Sequence, residues 1–226
     1  LEFRRVLFRS VVFDFHRLGF TDAFLPQFRK VLEQPHGILL VTGPTGSGKT
    51  TTLYTALSQL NTADVKIITV EDPVEYQIEG INQIQAKPQI GLDFANALRS
   101  IVRQDPDIIM IGEMRDLETA RIAIQSALTG HLVLSTLHTN DAPSAVTRLL
   151  DLGVPHYLLA STLNGILAQR LVRTLCPHCK QPHTLAAADW AVLADSQAAY
   201  PDAATPCRPV GCLECRRTGF LGRIGL

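Results

Sequence analysis

Residues 43–50 read Gly-Pro-Thr-Gly-Ser-Gly-Lys-Thr, the G-x-x-x-x-G-K-[ST] spacing of a loop that cradles phosphate. Gly43, Gly46 and Gly48 let the backbone turn its N–H groups toward an anion, and the start of a following helix adds positive potential. Lys49 is placed to reach the β- and γ-phosphates, and the Thr50 hydroxyl to ligate Mg²⁺. Pro44, Thr45, Ser47 and Thr51 complete the stretch expected to contact nucleotide. A glycine-rich turn with no ligand is common, but one carrying Lys-Thr is seldom idle. The expected ligand is ATP with Mg²⁺.

Three more groups suit work on a bound triphosphate: Glu71-Asp72-Pro73 with Glu75 nearby, Gly112-Glu113-Met114-Arg115-Asp116, and Leu137-His138-Thr139-Asn140. Phosphoryl transfer needs metal charge, in-line geometry and an oriented water more than covalent chemistry. Glu113 suits the orientation of that water, and Glu71 is its rival; the sequence does not separate them. His131 and His138 are weaker candidates for reporting on the γ-phosphate. Taken singly, each group has a plain structural reading. Glu71 and Asp72 could only begin a turn before Pro73, and His138 could be a satisfied loop residue. Many phosphate-loop enzymes place an Mg²⁺-binding Asp where this chain has Gly112, which shifts weight onto Glu113 and Asp107.

A second chemistry lies near the C-terminus. Cys176-Pro-His-Cys179 and Cys212-Leu-Glu-Cys215 are two C-x-x-C pairs with 32 residues between them. Two such knuckles can present four thiolates to one Zn²⁺, and a site with four protein ligands is structural. The gap is longer than in the commonest short ribbons. Unpaired or redox-active cysteines are the competing readings. Cys207 is left over, and His178 and His183 could substitute for an imperfect knuckle.

The elements that must position these groups are legible in the pattern of apolar residues. Ile38–Thr42 is strand-like, and Leu53, Ala56, Leu57 and Leu60 then recur on one helical face. Val65–Val70 is a second strand. Asp93 can cap a helix carrying Phe94, Ala97, Leu98 and Ile101. Ile108–Ile111 is a third strand, Leu117–Thr129 a helix closed by Gly130, and Leu132–Thr136 a fourth strand. Such alternation predicts an α/β fold with a parallel sheet flanked by helices. Ligands then bind beyond the carboxyl ends of the strands, where the loop, both acids and His138 would meet. The Ala-rich part of residues 184–206 predicts a helix carrying Trp190, Leu193 and Ala194.

Composition bounds the rest. The chain has 226 residues, 46% of them hydrophobic, with 21 basic against 21 acidic. That balance points away from nucleic acid or an anionic membrane as the main partner. No apolar run approaches the roughly 20 residues that cross a bilayer, and arginines interrupt the N-terminal stretch where a signal peptide would be apolar. A cytoplasmic protein is expected. The first ten residues, LEFRRVLFRS, resemble a translated sequencing-library adaptor. They are set aside as an artefact of that kind, the alternative being a real basic arm. With no initiator Met, the chain reads as an internal fragment.

Four motifs in order carry a resemblance: GPTGSGKTT at 43–51, VEDPVEY at 70–76, RQDPDIIMIGEMRD at 103–116 and GHLVLSTLHTN at 130–140. Together they resemble the ATPases of type II secretion and type IV pilus assembly, over roughly Leu18 to Leu226. The resemblance implies a RecA-like P-loop NTPase core, here 31–175, after the tail of a preceding domain or linker (11–30) and before a tetracysteine zinc subdomain at 176–226. It implies a homo-hexamer with nucleotide between subunits, joined through platform and cytoplasmic-domain partners to the inner membrane. On that basis a fragment lacking the preceding domain is expected to bind ATP and turn it over slowly. Lys49 and Thr50 take the phosphate and Mg²⁺ roles, Glu71 and Asp72 the first acidic motif, Glu113 the second, and His131 and His138 the histidine box. The tetracysteine element is similar to that of assembly-type members, and ILAQRLVRTLCPHCK at 166–180 leans toward type II secretion over pilus assembly. A RecA-like nucleic-acid translocase and a non-catalytic nucleotide-binding scaffold are the more remote alternatives.

Overall fold

A computed structural model describes residues 14–184 and 206–225. The expected artefact at 1–10 and the expected helix around Trp190 lie outside the described residues. The chain divides into two compact units, one made of the residues up to Arg170 together with the C-terminal Gly225, and one spanning Leu171–Ile224.

The first unit is built on a six-stranded sheet, every strand parallel to its neighbours. Its strands are β1 (Gly37–Thr42), β2 (Ile67–Glu71), β3 (Asn82–Gln85), β4 (Ile108–Ile111), β5 (Leu132–Leu137) and β6 (Leu163–Ala168), in the order β3-β2-β4-β5-β1-β6. The helices are α1 (Leu25–Leu32), α2 (Lys49–Leu60), α3 (Phe94–Val102), α4 (Leu117–Leu128), α5 (Ala142–Asp151) and α6 (His156–Thr162). Successive strand residues point to opposite faces, and β1 shows the consequence. Ile38 and Leu40 pack into a core with α3, α4, α5 and α6. Leu39 and Val41 pack into a second core with α1 and α2. A sheet covered on both faces requires the unbroken apolar runs seen in β1, β4 and β5.

Two elements of the sheet escape the sequence pattern. β3, Asn-Gln-Ile-Gln, is a polar edge strand, and β6 follows α6 with no intervening loop. Within 11–30, expected as the tail of a preceding domain or linker, the described residues Phe15, Phe20, Leu25 and Phe28 join the second core of this unit.

Register aligns the working ends. Thr42 pairs with Leu137, Ile111 with Ser135, and Val70 with Ile111. The phosphate loop, the acids after β2 and β4, and His138 therefore leave the sheet side by side. Asp93, Asp116 and Asp141 cap α3, α4 and α5 by accepting from Asn96 N (2.8 Å), Thr119 N (2.8 Å) and Ser144 N (2.7 Å), each worth about 1 kcal/mol in such positions.

The second unit begins at Leu171 rather than 176, because β7 (Leu171–Leu175) pairs with β10 (Phe220–Gly225). A short antiparallel pair joins β8 (Gln181–Pro182) to β9 (Cys207–Arg208). Among its described residues the buried apolar side chains are Cys176 and Cys215, so apolar packing among them is too sparse to hold the unit together.

Candidate active site

The phosphate loop joins β1 to the first turn of α2. Gly43 has φ of +146°, and a Cβ there would come within 2.3 Å of the Gln169 carbonyl and 2.7 Å of Ser47 Oγ. Gly48, at φ +87°, is the residue that caps α2; both positions favour glycine. Lys49 is 8% exposed, and its ammonium donates to the carbonyls of Gly43 (2.9 Å) and Pro44 (3.1 Å). Burial pulls the Lys49 pKa down, and the Glu113 carboxylate partly offsets this. Ser47 Oγ is buried without a hydrogen-bond partner among the described residues. An orphaned hydroxyl, inward-turned glycines and a lysine at one helix start fit an anion as ligand.

Thr45, Gly46, Lys49, Thr50, Glu113 and His138 share the wall of one cavity of about 210 Å³. Leu53, Phe94 and Met110 supply its apolar part, and Glu71, Asp72, Pro73 and Glu75 line it as well. Thr51 stands further along α2, its carbonyl accepting from Thr55 Oγ1 at 2.8 Å.

The two candidate acids have different surroundings. Glu113 lies just past β4, its side chain 13% exposed. One oxygen pairs with Arg115 and the other stands 3.2 Å from His138 Nε2. That ion pair raises the Arg115 pKa, through hydrogen bonding first and charge second. Glu71 is 3% exposed and already engaged by three protein donors: the Tyr54 hydroxyl, Thr69 Oγ1 (2.6 Å) and Gln83 Nε2 (3.1 Å). Glu71 lines the same cavity as Glu113 but has three protein donors on its carboxylate, whereas Glu113 meets Arg115 and the cavity-lining His138.

The histidine box divides as well. His138 follows β5 at the cavity. His131 precedes β5, about 20 Å away at the usual rise per strand residue, and its Nδ1–H donates to the Pro106 carbonyl at 2.6 Å. His131 is thus not brought to the phosphate loop of this chain. Asp107 falls at the same far end. It precedes β4 and accepts from Lys66 N at 2.7 Å, so it cannot replace the Asp missing at Gly112.

Several site residues gave no signal in the sequence. Thr136 Oγ1 donates to the Gly112 carbonyl at 2.6 Å, tying β5 to the Glu113 loop. Thr42 Oγ1 lies 2.6 Å from Thr139 Oγ1 and accepts from Thr139 N at 3.1 Å, fixing the His138 loop to the end of β1. Thr and Tyr at these positions read as ordinary strand and helix residues.

In the second unit, the four sulfurs of Cys176, Cys179, Cys212 and Cys215 lie within 4.8 Å of one another. Three of the separations are 3.9, 3.8 and 3.7 Å. Tetrahedral zinc with Zn–S near 2.3 Å sets sulfurs about 3.8 Å apart, so the cluster fits that ion. Amide N–H groups of Gly211, Cys212 and Gly219 point at Cys179 and Cys215 sulfurs at 3.1–3.3 Å. The Cys212 amide above all pulls the Cys215 thiol down to about 6, whereas burial pushes the Cys176 thiol up to about 11, so the fit to a metal is carried by the sulfur geometry.

A glycine loop with Lys-Thr at a helix start, acids beyond the neighbouring strands and an imidazole beside them, on a parallel sheet, define a RecA-like P-loop NTPase fold. The chain matches the family model for type II/IV secretion system proteins over residues 2–226, and it belongs to that family. The matched span takes in residues 2–10, outside the described residues. Over 166 residues, 74% of this chain and 29% of the relative, it is 89% identical to type II secretion system protein E of Xanthomonas campestris pv. campestris. Over 217 residues, 96% of this chain and 37% of the relative, it is 55% identical to the type IV pilus assembly ATPase TfpB of Acinetobacter baylyi. The crystal structure of the pilus retraction motor PilT with bound ADP aligns with a TM-score of 0.64 at 40% identity, covering 73% of this chain and 50% of that one. The chain therefore spans well under half the length of these curated relatives.

Proposed function

We propose that this chain is the ATP-hydrolysing part of a motor that powers protein export by type II secretion, converting ATP and water to ADP and phosphate. The observation that carries the proposal is the shared cavity of Lys49, Thr50 and Glu113. The triphosphate enters along the start of α2, where backbone N–H groups, Ser47 and Lys49 meet its anionic oxygens. The Thr50 hydroxyl would hold Mg²⁺, which would supply positive charge for the terminal phosphates. Glu113 orients the attacking water and takes its proton as the bond to the leaving ADP breaks. His138 holds one oxygen of that carboxylate and Arg115 the other, so the acid keeps its aim. Glu71 contributes by shaping the wall.

The higher identity to the Xanthomonas protein favours secretion, and the Acinetobacter relative supports pilus assembly as the second reading. The motor works as a homo-hexamer in the cytoplasm, reaching the inner membrane through platform and cytoplasmic-domain proteins of its machine. No helix among the described residues is long and apolar enough to cross a membrane. In the second unit, zinc held by Cys176, Cys179, Cys212 and Cys215 is structural.

Glu113→Gln separates a motor from a scaffold. Its hydrolysis should fall at least 100-fold, the span general bases contribute, while ATP affinity stays within about threefold, read by isothermal titration. Unchanged turnover in a folded variant rules Glu113 out as the base.

A further inference from the structure

Tyr54 lies one helical turn past Thr50, on the face of α2 that also carries Leu53 and Leu57, all fully buried. An apolar side chain would satisfy that face. A buried phenol instead brings a hydroxyl whose loss of water must be compensated. The hydroxyl donates to Glu71 at the end of β2 and accepts from Glu75 N at 3.2 Å. Its ring meets that of Tyr76 edge-on, with centroids 6.1 Å apart. Burial, reinforced by Glu71, raises the phenol pKa well above the ordinary range, so it stays a donor.

The contact continues beyond Glu71. Gln83 donates to Glu71 and to the Tyr76 carbonyl (2.9 Å), and accepts from Ile78 N at 2.8 Å. The segment from Glu71 to Gln83 is thus folded around one buried carboxylate. Asp72, Pro73 and Glu75 of this segment line the same cavity as Thr45, Gly46, Lys49 and Thr50 of the phosphate loop and the start of α2.

We propose that Tyr54 is a positioning residue that couples the phosphate-loop helix to the acidic wall: its hydroxyl carries movement of α2, on nucleotide binding, into residues 71–76. It touches no reacting atom. The proposal rests on the reading of residues 43–51 as a nucleotide site, and Tyr54→Phe tests it because only the oxygen is removed. Hydrogen exchange is followed in the wild-type chain, Tyr54→Phe and Thr69→Val, each with and without Mg-ADP. Thr69→Val takes a different donor from the same carboxylate and leaves the Tyr54 hydroxyl in place.

In the wild type, Mg-ADP should protect both 46–51 and 72–76. In Tyr54→Phe the Glu75 amide should exchange about fivefold to tenfold faster, as expected for one lost hydrogen bond. Protection of 46–51 should remain while that of 72–76 is lost, and kcat should fall about tenfold with KM within twofold. Thr69→Val should keep protection at both segments. Equal protection of 72–76 in Tyr54→Phe and wild type overturns the coupling, as does equal loss in both variants, which would mean general loosening. If Tyr54→Phe does not fold, Glu71→Gln, which weakens the same contact from the other side, must lose protection of 72–76 or the proposal fails. Absence of protection at 46–51 in the wild type overturns the nucleotide reading itself and is distinguishable from all of these.

Discussion

His138 stands 3.2 Å from a Glu113 oxygen, with its ring on the cavity wall. His131, seven residues earlier in the same motif, is spent on the Pro106 carbonyl. The two imidazoles therefore divide along the strand that separates them. Removing His138 takes a partner from a charged group, an interaction worth about 1.5–3 kcal/mol. His138→Ala should lower kcat about 10-fold to 100-fold in a steady-state phosphate-release assay. His131→Ala should leave kcat within twofold and cost about 1 kcal/mol of stability through the lost hydrogen bond, read as a lower urea midpoint. Equal losses of kcat in both variants contradict this division. At this scale the sequence brought forward residues whose type itself can do chemistry, and the structure places Lys49 and Glu113 in one cavity and the four cysteines in one cluster. Tyr54, Thr42 and Thr136 did not come forward, because their roles depend on partners 17, 97 and 24 positions away.

Among the elements, those with strong apolar periodicity were readable. β1, β4 and β5 are unbroken buried runs, and α4 is bracketed by the Asp116 cap and Gly130. β3 was not, since an exposed edge needs no apolar alternation. β6 hid because Asn164 and Gly165 interrupt its apolar run; a Cβ at Gly165 would lie 3.1 Å from Val31 Cγ1 and press on α1. The break between α3 and α4 matters most for chemistry, because the Glu113 loop is stretched from β4 to the Asp116 cap. Asp116 accepts from both Thr119 N (2.8 Å) and Thr119 Oγ1 (3.1 Å). Asp116→Ala should cost about 1 kcal/mol, measured by chemical denaturation. Asp116→Asn should recover most of it, since an amide oxygen still caps. A variant Asn as unstable as Ala would mean that charge, not capping, is what this helix start requires.

For the molecule as a whole, the two units differ in what holds them together. The first has two apolar cores, one on each face of its sheet. The second has, among its described residues, two buried cysteines and a cation–π contact in which the Arg173 guanidinium lies 4.0 Å from the Phe220 ring centre. Metal binding energy in such sites is folding energy, whereas the first unit owes nothing to a metal for its packing. The purified chain should therefore carry one zinc, measured by elemental analysis. Removing it with a strong chelator should open 171–184 and 206–224 to proteolysis while residues 14–170 stay resistant. Nucleotide affinity should change by less than about twofold, because every residue lining the phosphate cavity belongs to the first unit. Cys215→Ser should reproduce the chelated pattern without chelator. Protease resistance that survives complete loss of zinc would mean that the thiols pack as ordinary apolar groups, and that 171–224 finds its stability elsewhere.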